Sequence, residues 1–315
     1  MVKEGYSYLF GPVPSRRFGR SLGVDLTPHK TCSLDCVFCQ LGRTTNQTLC
    51  RREFVPLDLV LAELEDWQRT AGDADFITLS GSGEPTLHSR FGEVLEFIRL
   101  KSSIPAALLT NGTMLHLPEV RNAASHADLV KVSLSAWDQV SYQWVNRPHP
   151  ALCFDQLLEG QKDFRVQFGG QLWMEVFLVG GINSIPADVY KIAALAREIS
   201  PDRIQLNTAV RPPAEDFVAA IPKERMAELA QLFDPLAEII TEFSIEQPNA
   251  VKVERQRIFA MLKRRPCTLE EISQLCGLHH NEVSKYLGSL LQTRQILTDC
   301  RNGAVYYTAE KERGN

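Results

Sequence analysis

Three of the eight cysteines lie within eight positions, at Cys32, Cys36 and Cys39 in the stretch KTCSLDCVFCQLG. Thiols at this CxxxCxxC spacing can hold one metal ion or cluster together, but three is one short of a closed site. A structural zinc ion would need a fourth ligand, for which Cys50 and His29 are candidates, and no CxxC partner exists. An iron–sulfur cubane prefers four thiolates, so three would leave one iron open to a substrate or cofactor.

Alternating apolar and amphipathic runs in the first 245 residues predict βαβ units and a parallel sheet. The predicted strands are Leu22–Leu26, Phe76–Ser80, Ala106–Thr110, Leu129–Ser135, Leu172–Val179 and Arg203–Asn207. Apolar residues at helical spacing predict helices between them, around Leu57–Trp67, Phe91–Ile98 and Ile192–Ile199. Six such units form a partial or complete barrel, in which chemistry lies at the carboxyl ends of the strands. The cysteine loop, SGSGEP and TNGT follow the first three strands, so their polar groups are expected at one rim.

The pattern changes after EQPNA, which has the composition of a linker. Helices are predicted over Val253–Leu262, over TLEEISQLCG and from about His280 to Gln292, followed by two strands around an Asn302–Gly303 turn. Three helices and a hairpin predict a winged helix-turn-helix domain. The predicted division is therefore a barrel domain at 1–245, a linker at 246–251 and a winged-helix domain at 252–315.

Charge also separates the two parts. From Val251 onwards there are 11 basic and 7 acidic residues, whereas the first 250 residues contain 23 basic and 31 acidic ones. A DNA-binding winged helix would place its third helix in the major groove. The candidate contacts are His279, His280, Asn281, Ser284, Lys285, Arg294, Arg301 and Asn302, beside a basic corner at Lys263, Arg264 and Arg265. The third helix has few cations, so nucleic-acid binding, protein binding and a scaffold role all stay open.

The CxxxCxxC motif after the first strand of a predicted βα barrel resembles the radical SAM superfamily. The resemblance implies an α/β fold, a partial (β/α)6 barrel, in which the three cysteines hold a 4Fe–4S cluster. It also implies that S-adenosylmethionine (SAM) is the fourth ligand and that its reductive cleavage gives a 5′-deoxyadenosyl radical, which abstracts hydrogen from a substrate. A reducing partner such as flavodoxin or ferredoxin is implied as well.

Motifs at the strand ends resemble the places where that superfamily binds SAM. Phe38 matches the aromatic position near the adenine, and SGEP resembles the GGEP motif with serine for one glycine. The Glu84 carboxylate would then receive the methionyl ammonium. Alternation would place Lys131, Ser133 and Ser135 on one face, towards the SAM carboxylate and ribose. The full predicted set is Phe38, Gly81, Ser82, Gly83, Glu84, Thr110, Asn111, Lys131, Ser133, Ser135, Gly181, Asn183, Gln205 and Asn207.

The opening GPVPSRRFGRSLGVDLTPHKTCSLDCVFCQLGRT resembles a branch related to the wyosine-base tRNA synthases, which implies RNA as a substrate. Those synthases carry further cysteines before the SAM motif, whereas none precedes Cys32 here, which argues against wyosine formation. Six arginines flank the cysteines and either bind substrate phosphate or carboxylate or pair with acidic residues of the barrel. They are Arg16, Arg17, Arg20, Arg43, Arg51 and Arg52.

Composition limits the remaining choices. The chain has 315 residues, 44% hydrophobic and 23% charged, which suits one large and one small folded domain. No apolar run approaches the ~20 residues of a membrane span, and the first ten residues lack the apolar stretch of a signal peptide. We therefore expect a cytoplasmic protein without disulfides. Three functions stay open: a radical SAM enzyme acting on RNA, one modifying a protein or peptide or activating a glycyl-radical enzyme, and a metal- or redox-sensing transcription factor.

Overall fold

The fold is seen in a computed structural model, which describes residues 6–15, 17–70, 73–209, 213–240, 249–301 and 304–310. The strands before residue 240 are β1 Leu9–Ser15, β2 Gly19–Val24, β3 Thr31–Cys32, β4 Asn46–Gln47, β5 Phe76–Leu79, β6 Ala106–Leu109, β7 Leu129–Ser133, β8 Gln171–Phe177, β9 Arg203–Asn207 and β10 Glu238–Ile239. Eight of them form one sheet of order β1-β2-β5-β6-β7-β8-β9-β10, and β3 pairs with β4. Neighbours in the large sheet are parallel except for β1 and β2. All six predicted strands are present in this mixed α/β fold.

Helices connect the parallel strands. They are α1 Leu57–Thr70, α2 Phe91–Lys101, α3 Pro118–Ala124, α4 Gln139–Val145, α5 Phe154–Gln167, α6 Pro186–Ile199 and α7 Lys223–Ala230. Their apolar faces pack on one side of the sheet, where Val130 and Val132 of β7 join the same core. Successive strand residues point to opposite faces, so Lys131 and Ser133 face the other side. Among the described residues no helix is long and apolar enough to cross a membrane.

One strand of the large sheet has no counterpart in the sequence prediction. Strand β1 pairs antiparallel with β2 and is bulged between Phe10 and Val13. Its sequence, LFGPVPS, contains two prolines and a glycine, which are typical of loops. Proline is nevertheless accepted in an edge strand, where its missing N–H is not needed for pairing. The cysteine loop therefore follows the second strand of the chain, which is the first of the parallel set.

The residues after the linker form a smaller unit with its own core. Its elements are α8 Asn249–Arg264, β11 Cys267–Thr268, α9 Leu269–Cys276, α10 His280–Gln292, β12 Ile296–Arg301 and β13 Ala304–Ala309, with sheet order β11-β13-β12. Ile258, Ile272 and Leu287 are among the residues of its separate hydrophobic cluster. We refer to residues 249–310 as the C-terminal unit. The helices and hairpin occur in the predicted order, whereas residues 246–248 of the predicted linker and the Asn302–Gly303 turn lie outside the described residues.

Candidate functional site

The three clustered thiols lie in the loop that follows β2. Burial raises the pKa of the Cys32 thiol to about 12. Burial also raises the pKa of the Cys36 thiol, and negative charge on Cys32 and Cys39 raises it further. The Cys32 and Cys36 thiols are thus poorly solvated, and Cys39 is close enough to influence Cys36. The raised pKa values favour the protonated thiols, and the positive charge of a bound metal would favour the thiolates instead.

Each of these sulfurs has a polar neighbour. Asn111 Nδ2 lies 3.6 Å from Cys32 Sγ, Asn146 Nδ2 lies 3.3 Å from Cys36 Sγ, and Lys30 Nζ lies 3.1 Å from Cys39 Sγ. Donors of this kind stabilise ligating sulfurs and orient them. Within the described part of the chain, no three His, Cys, Asp or Glu side chains come close enough to hold one metal ion. A cubane binds each thiolate on a separate iron, so three thiols at this spacing suit such a cluster with one iron left open.

The SGSGEP loop after β5 is tied to the cysteine loop through backbone atoms. Lys30 N donates to Ser82 O at 2.7 Å, and Glu84 N donates to Thr31 O at 3.0 Å. A Cβ atom on Gly83 would lie 1.9 Å from Thr31 O, so only glycine allows this approach. The resemblance to the GGEP motif therefore has a structural reason here, which is the close packing of the two loops.

Glu84 does not reach open space. Glu84 is 2% exposed, and its carboxylate accepts hydrogen bonds from four donors. These are Thr86 N at 3.1 Å, Thr86 Oγ1 at 2.6 Å and Thr110 Oγ1 at 2.6 Å on Oε1, and Asn111 N at 2.8 Å on Oε2. Burial raises the pKa of this carboxyl, and the four donors oppose the shift. The carboxylate thus joins the loops after β5 and β6, and both of its oxygens accept hydrogen bonds from this chain.

A cavity of about 340 Å³ adjoins the cysteine loop and the carboxyl ends of the strands. Cys39 and Gly81 lie at its edge, and Phe38 stacks on Phe177 in its wall with ring centroids 4.1 Å apart. The predicted cofactor residues that line it are Phe38, Gly81, Lys131 and Asn207. Those that do not line it are Ser82, Gly83, Glu84, Thr110, Asn111, Ser133, Ser135, Gly181, Asn183 and Gln205.

Some of these other residues have clear roles inside the fold. Asn183 is fully buried: its Oδ1 accepts from Val179 N at 2.6 Å, and its Nδ2 donates to Ser135 O at 2.8 Å and to Phe177 O at 2.9 Å. It therefore fixes the turn after β8. Gln205 is 2% exposed, and its Oε1 has no hydrogen-bond partner among the described residues.

The sequence profile of the Radical SAM superfamily matches residues 26–168. A UPF0026 protein of Helicobacter pylori is 30% identical over 313 residues, which cover 98% of this chain and 100% of the relative. This chain is a radical SAM protein of the UPF0026 family. It is also similar to a protein named GTPase Obg in Brachyspira hyodysenteriae, 32% identical over 303 residues, but spans only 45% of that protein's length and 95% of its own. A radical SAM methyltransferase from Sphaerobacter thermophilus shares the fold, with a TM-score of 0.51 and 18% identity over 70% of this chain and 65% of the other.

Membership makes the UPF0026 chain an enzyme of the class whose cofactors are a 4Fe–4S cluster and SAM and which needs a reductant. Membership therefore favours the two enzyme hypotheses over a metal- or redox-sensing transcription factor. The residues that bind its cofactors stay predictions.

The radical SAM cavity contains one charged group that the sequence did not indicate. Glu175 of β8 projects into it and binds Lys131 Nζ, while Asn207 Nδ2 donates to Glu175 Oε1 at 3.1 Å. Arg17 Nη2 lies 2.8 Å from Glu175 Oε2. Burial would raise the pKa of this carboxyl, but the two cations hold it well below its usual range. Glu175 is the single carboxylate in a predicted strand of mostly apolar residues, and a charged residue at such a position can indicate a functional site.

The arginines that flank the cysteines of this UPF0026 chain are mostly paired with acidic side chains. Arg17 pairs with Glu175, Arg20 with Asp73 at 2.7 Å, Arg43 with Glu215 at 2.5 Å and Arg51 with Glu119 at 3.6 Å, while Arg52 lies over the Phe54 ring at 4.7 Å. Arg16 lies outside the described residues. For Arg20, Arg43 and Arg51, which do not line the cavity, these contacts fit pairing within the barrel, whereas Arg17 pairs with Glu175 and also lines the cavity.

Proposed function

We propose that Cys32, Cys36 and Cys39 hold a 4Fe–4S cluster, that SAM binds beside it, and that the reacting part of the substrate enters the 340 Å³ cavity. The observation that carries the proposal is the position of the three thiols. Their loop follows β2 at the carboxyl ends of the parallel strands, and Cys39 reaches the cavity wall. A site at this edge of the sheet is where βα barrels carry their chemistry.

When bound, the two cofactors supply reductive SAM cleavage and the 5′-deoxyadenosyl radical that abstracts hydrogen from the substrate. The protein's part is to position groups and keep out water. Phe38 and Phe177 provide a flat apolar wall suited to a purine ring. Lys131 and Asn207 present polar groups on the sheet side of the same cavity. Glu84 is assigned to holding the two loops together, in place of the ammonium contact implied by the family resemblance.

The substrate that the branch resemblance implies is RNA, and a protein or peptide is the alternative. The exposed arginines that would have met RNA phosphates, such as Arg20 and Arg43, pair with carboxylates instead. Because phosphate contacts dominate nucleic-acid affinity, these pairs favour substrate recognition inside the cavity over phosphate binding by the exposed arginines Arg20 and Arg43. Flavodoxin or ferredoxin is proposed as the source of the electron.

The test is anaerobic reconstitution with iron and sulfide, followed by SAM and dithionite and an assay for 5′-deoxyadenosine. Cys36→Ala should abolish its formation and lower the bound iron. Cys50→Ala is the matched control, because this exposed thiol lies in the same stretch of chain and should not be needed. Product formed by Cys36→Ala at the wild-type rate, or loss of both product and bound iron in Cys50→Ala, would refute the assignment of the ligands.

A further inference from the structure

The C-terminal unit makes specific contacts with the barrel beside the cysteine loop. The His279 ring stacks on Phe10 of β1, with centroids 4.2 Å apart, and its Nε2 lies 2.8 Å from Asp25 Oδ2. The next ring, that of His280, stacks on His29 at 4.2 Å. Both histidines are at the start of α10. The end of the helix that would enter a DNA groove is therefore occupied by the barrel.

The same helix forms part of the cavity wall. Asn281 and Lys285 line the cavity together with Cys39 and the strand residues of the barrel. Positions four apart lie on one face of a helix, so both side chains belong to the face that α10 turns towards the barrel. The cavity is thus completed by a part of the chain that lies more than 250 residues after β1.

The charged side chains that line this cavity are mostly cationic. Among the described residues that line it, Arg17, Lys131 and Lys285 are cationic, and Glu175 is the one carboxylate. Arg17 Nη2 is close to Glu175 but at an angle that makes no hydrogen bond, and its Nε has no hydrogen-bond partner within the described chain. The Arg17 side chain is only 14% exposed. A buried guanidinium with unused donors is costly unless an anion meets it.

We propose that Arg17 and Lys285 bind an anionic group, a carboxylate or a phosphate, of a small substrate, so that the C-terminal unit completes the active site. This inference rests on the proposed function and names the substrate class for the same cavity. The cavity of about 340 Å³ also contains the Phe38–Phe177 wall that we assign to the purine of SAM, so the remaining space suits only a small molecule. A cleft lined by cations also raises the local concentration of anionic ligands, even in a protein that is acidic as a whole. Lys285 in this role contacts substrate and not DNA.

The experiment measures anion binding by calorimetry on reconstituted holoprotein with saturating SAM and no reductant. The probes are inorganic phosphate and malonate, which distinguish the two kinds of anion. One of the two probes should bind to the wild-type protein. Lys285→Ala is expected to raise the dissociation constant of that probe about tenfold or more, as for loss of a charge-assisted hydrogen bond. Lys285→Arg should keep affinity within about threefold. Lys263→Ala is the control, because Lys263 is an exposed lysine of the same unit, over the Phe259 ring.

Three results would overturn the inference: neither probe binds while SAM is present, SAM displaces the probe, or Lys285→Ala and Lys263→Ala behave alike. Arg17→Lys provides a second variant on the barrel side, and it should also weaken the bound probe because lysine has no Nε donor. The readout needs no SAM cleavage. If anion binding depends on Lys285 but no 5′-deoxyadenosine is formed, the proposed function alone is contradicted. If 5′-deoxyadenosine is formed but anion binding does not depend on Lys285, this inference alone is contradicted.

Discussion

Glu84→Gln should lower the stability of the barrel even when no cofactor is bound. The carboxylate accepts three hydrogen bonds on Oε1 and one, from Asn111 N, on Oε2. A glutamine has a single oxygen. If that oxygen replaces Oε1, the amide NH₂ faces the Asn111 N–H, and two donors meet.

The magnitude follows from these bonds. One hydrogen bond to a charged acceptor is worth about 1.5–3 kcal/mol, and a buried N–H left without a partner costs about 1–3 kcal/mol. These two quantities overlap, and the side chain can shift, so we expect a loss of about 2–4 kcal/mol in the free energy of unfolding. Because the residue is 2% exposed, solvent screening does not reduce this value.

The assay is urea unfolding of the cofactor-free protein followed by tryptophan fluorescence. All four tryptophans, at positions 67, 137, 144 and 173, lie in the barrel, so the signal does not report on the C-terminal unit. Glu96→Gln on the exposed face of α2 is the matched control and should change stability by less than about 0.5 kcal/mol. Unchanged stability of Glu84→Gln together with weaker SAM binding would refute this reasoning and restore Glu84 as a cofactor contact.

Two further predictions concern the loops and the contact with the C-terminal unit. Gly83→Ala should cost about 3 kcal/mol because its Cβ would overlap a backbone carbonyl, whereas Gly169→Ala, with open space at its Cβ, should be neutral in the same urea assay. Burial lowers the pKa of His29 to about 4 and lowers that of His280. Separation of the stacked rings restores values near 6.5, so the separated state binds more protons and the contact should weaken as pH falls below about 6.5. Hydrogen exchange in α10, corrected for intrinsic rates, should rise between pH 7.5 and 5.5; unchanged exchange would contradict this. The charged and titratable groups facing these rings are Asp25, Lys30, Glu270 and His279.

The parallel strands could be predicted from sequence because short runs rich in apolar residues, such as FITL of β5 and AALL of β6, alternate with segments of helical periodicity. Arg203–Asn207 has the predicted bounds, and Ala106–Thr110 is one residue longer than β6. The edge strand β1 could not be predicted, since its prolines and glycine match a loop equally well. Local pattern thus locates the elements whose burial is uniform and fails at the edge of the sheet.

Site residues were harder to predict because a motif identifies the type of residue but does not show whether its side chain is accessible to solvent or to a ligand. SGEP predicts a carboxylate near the cluster loop, and the structure has one, but four internal donors already surround Glu84. Conversely, Glu175 matches no motif and lines the cavity. Whether a charged side chain meets solvent, a ligand or another residue depends on contacts between distant segments, such as Arg17 with Glu175, and no local pattern contains them.

The contact between α10 and the barrel changes how the C-terminal unit should be understood. The features that indicated DNA reading, a polar helix start with two histidines, are the ones that meet Phe10, Asp25 and His29. Any ligand that touches both Lys285 and the barrel must by linkage stabilise this contact, since it binds the closed arrangement better than the separated one. Substrate binding and protection of α10 from hydrogen exchange should therefore rise together. An α10 that reads nucleic acid would show the opposite relation, because its binding partner would compete with the barrel for the same histidines.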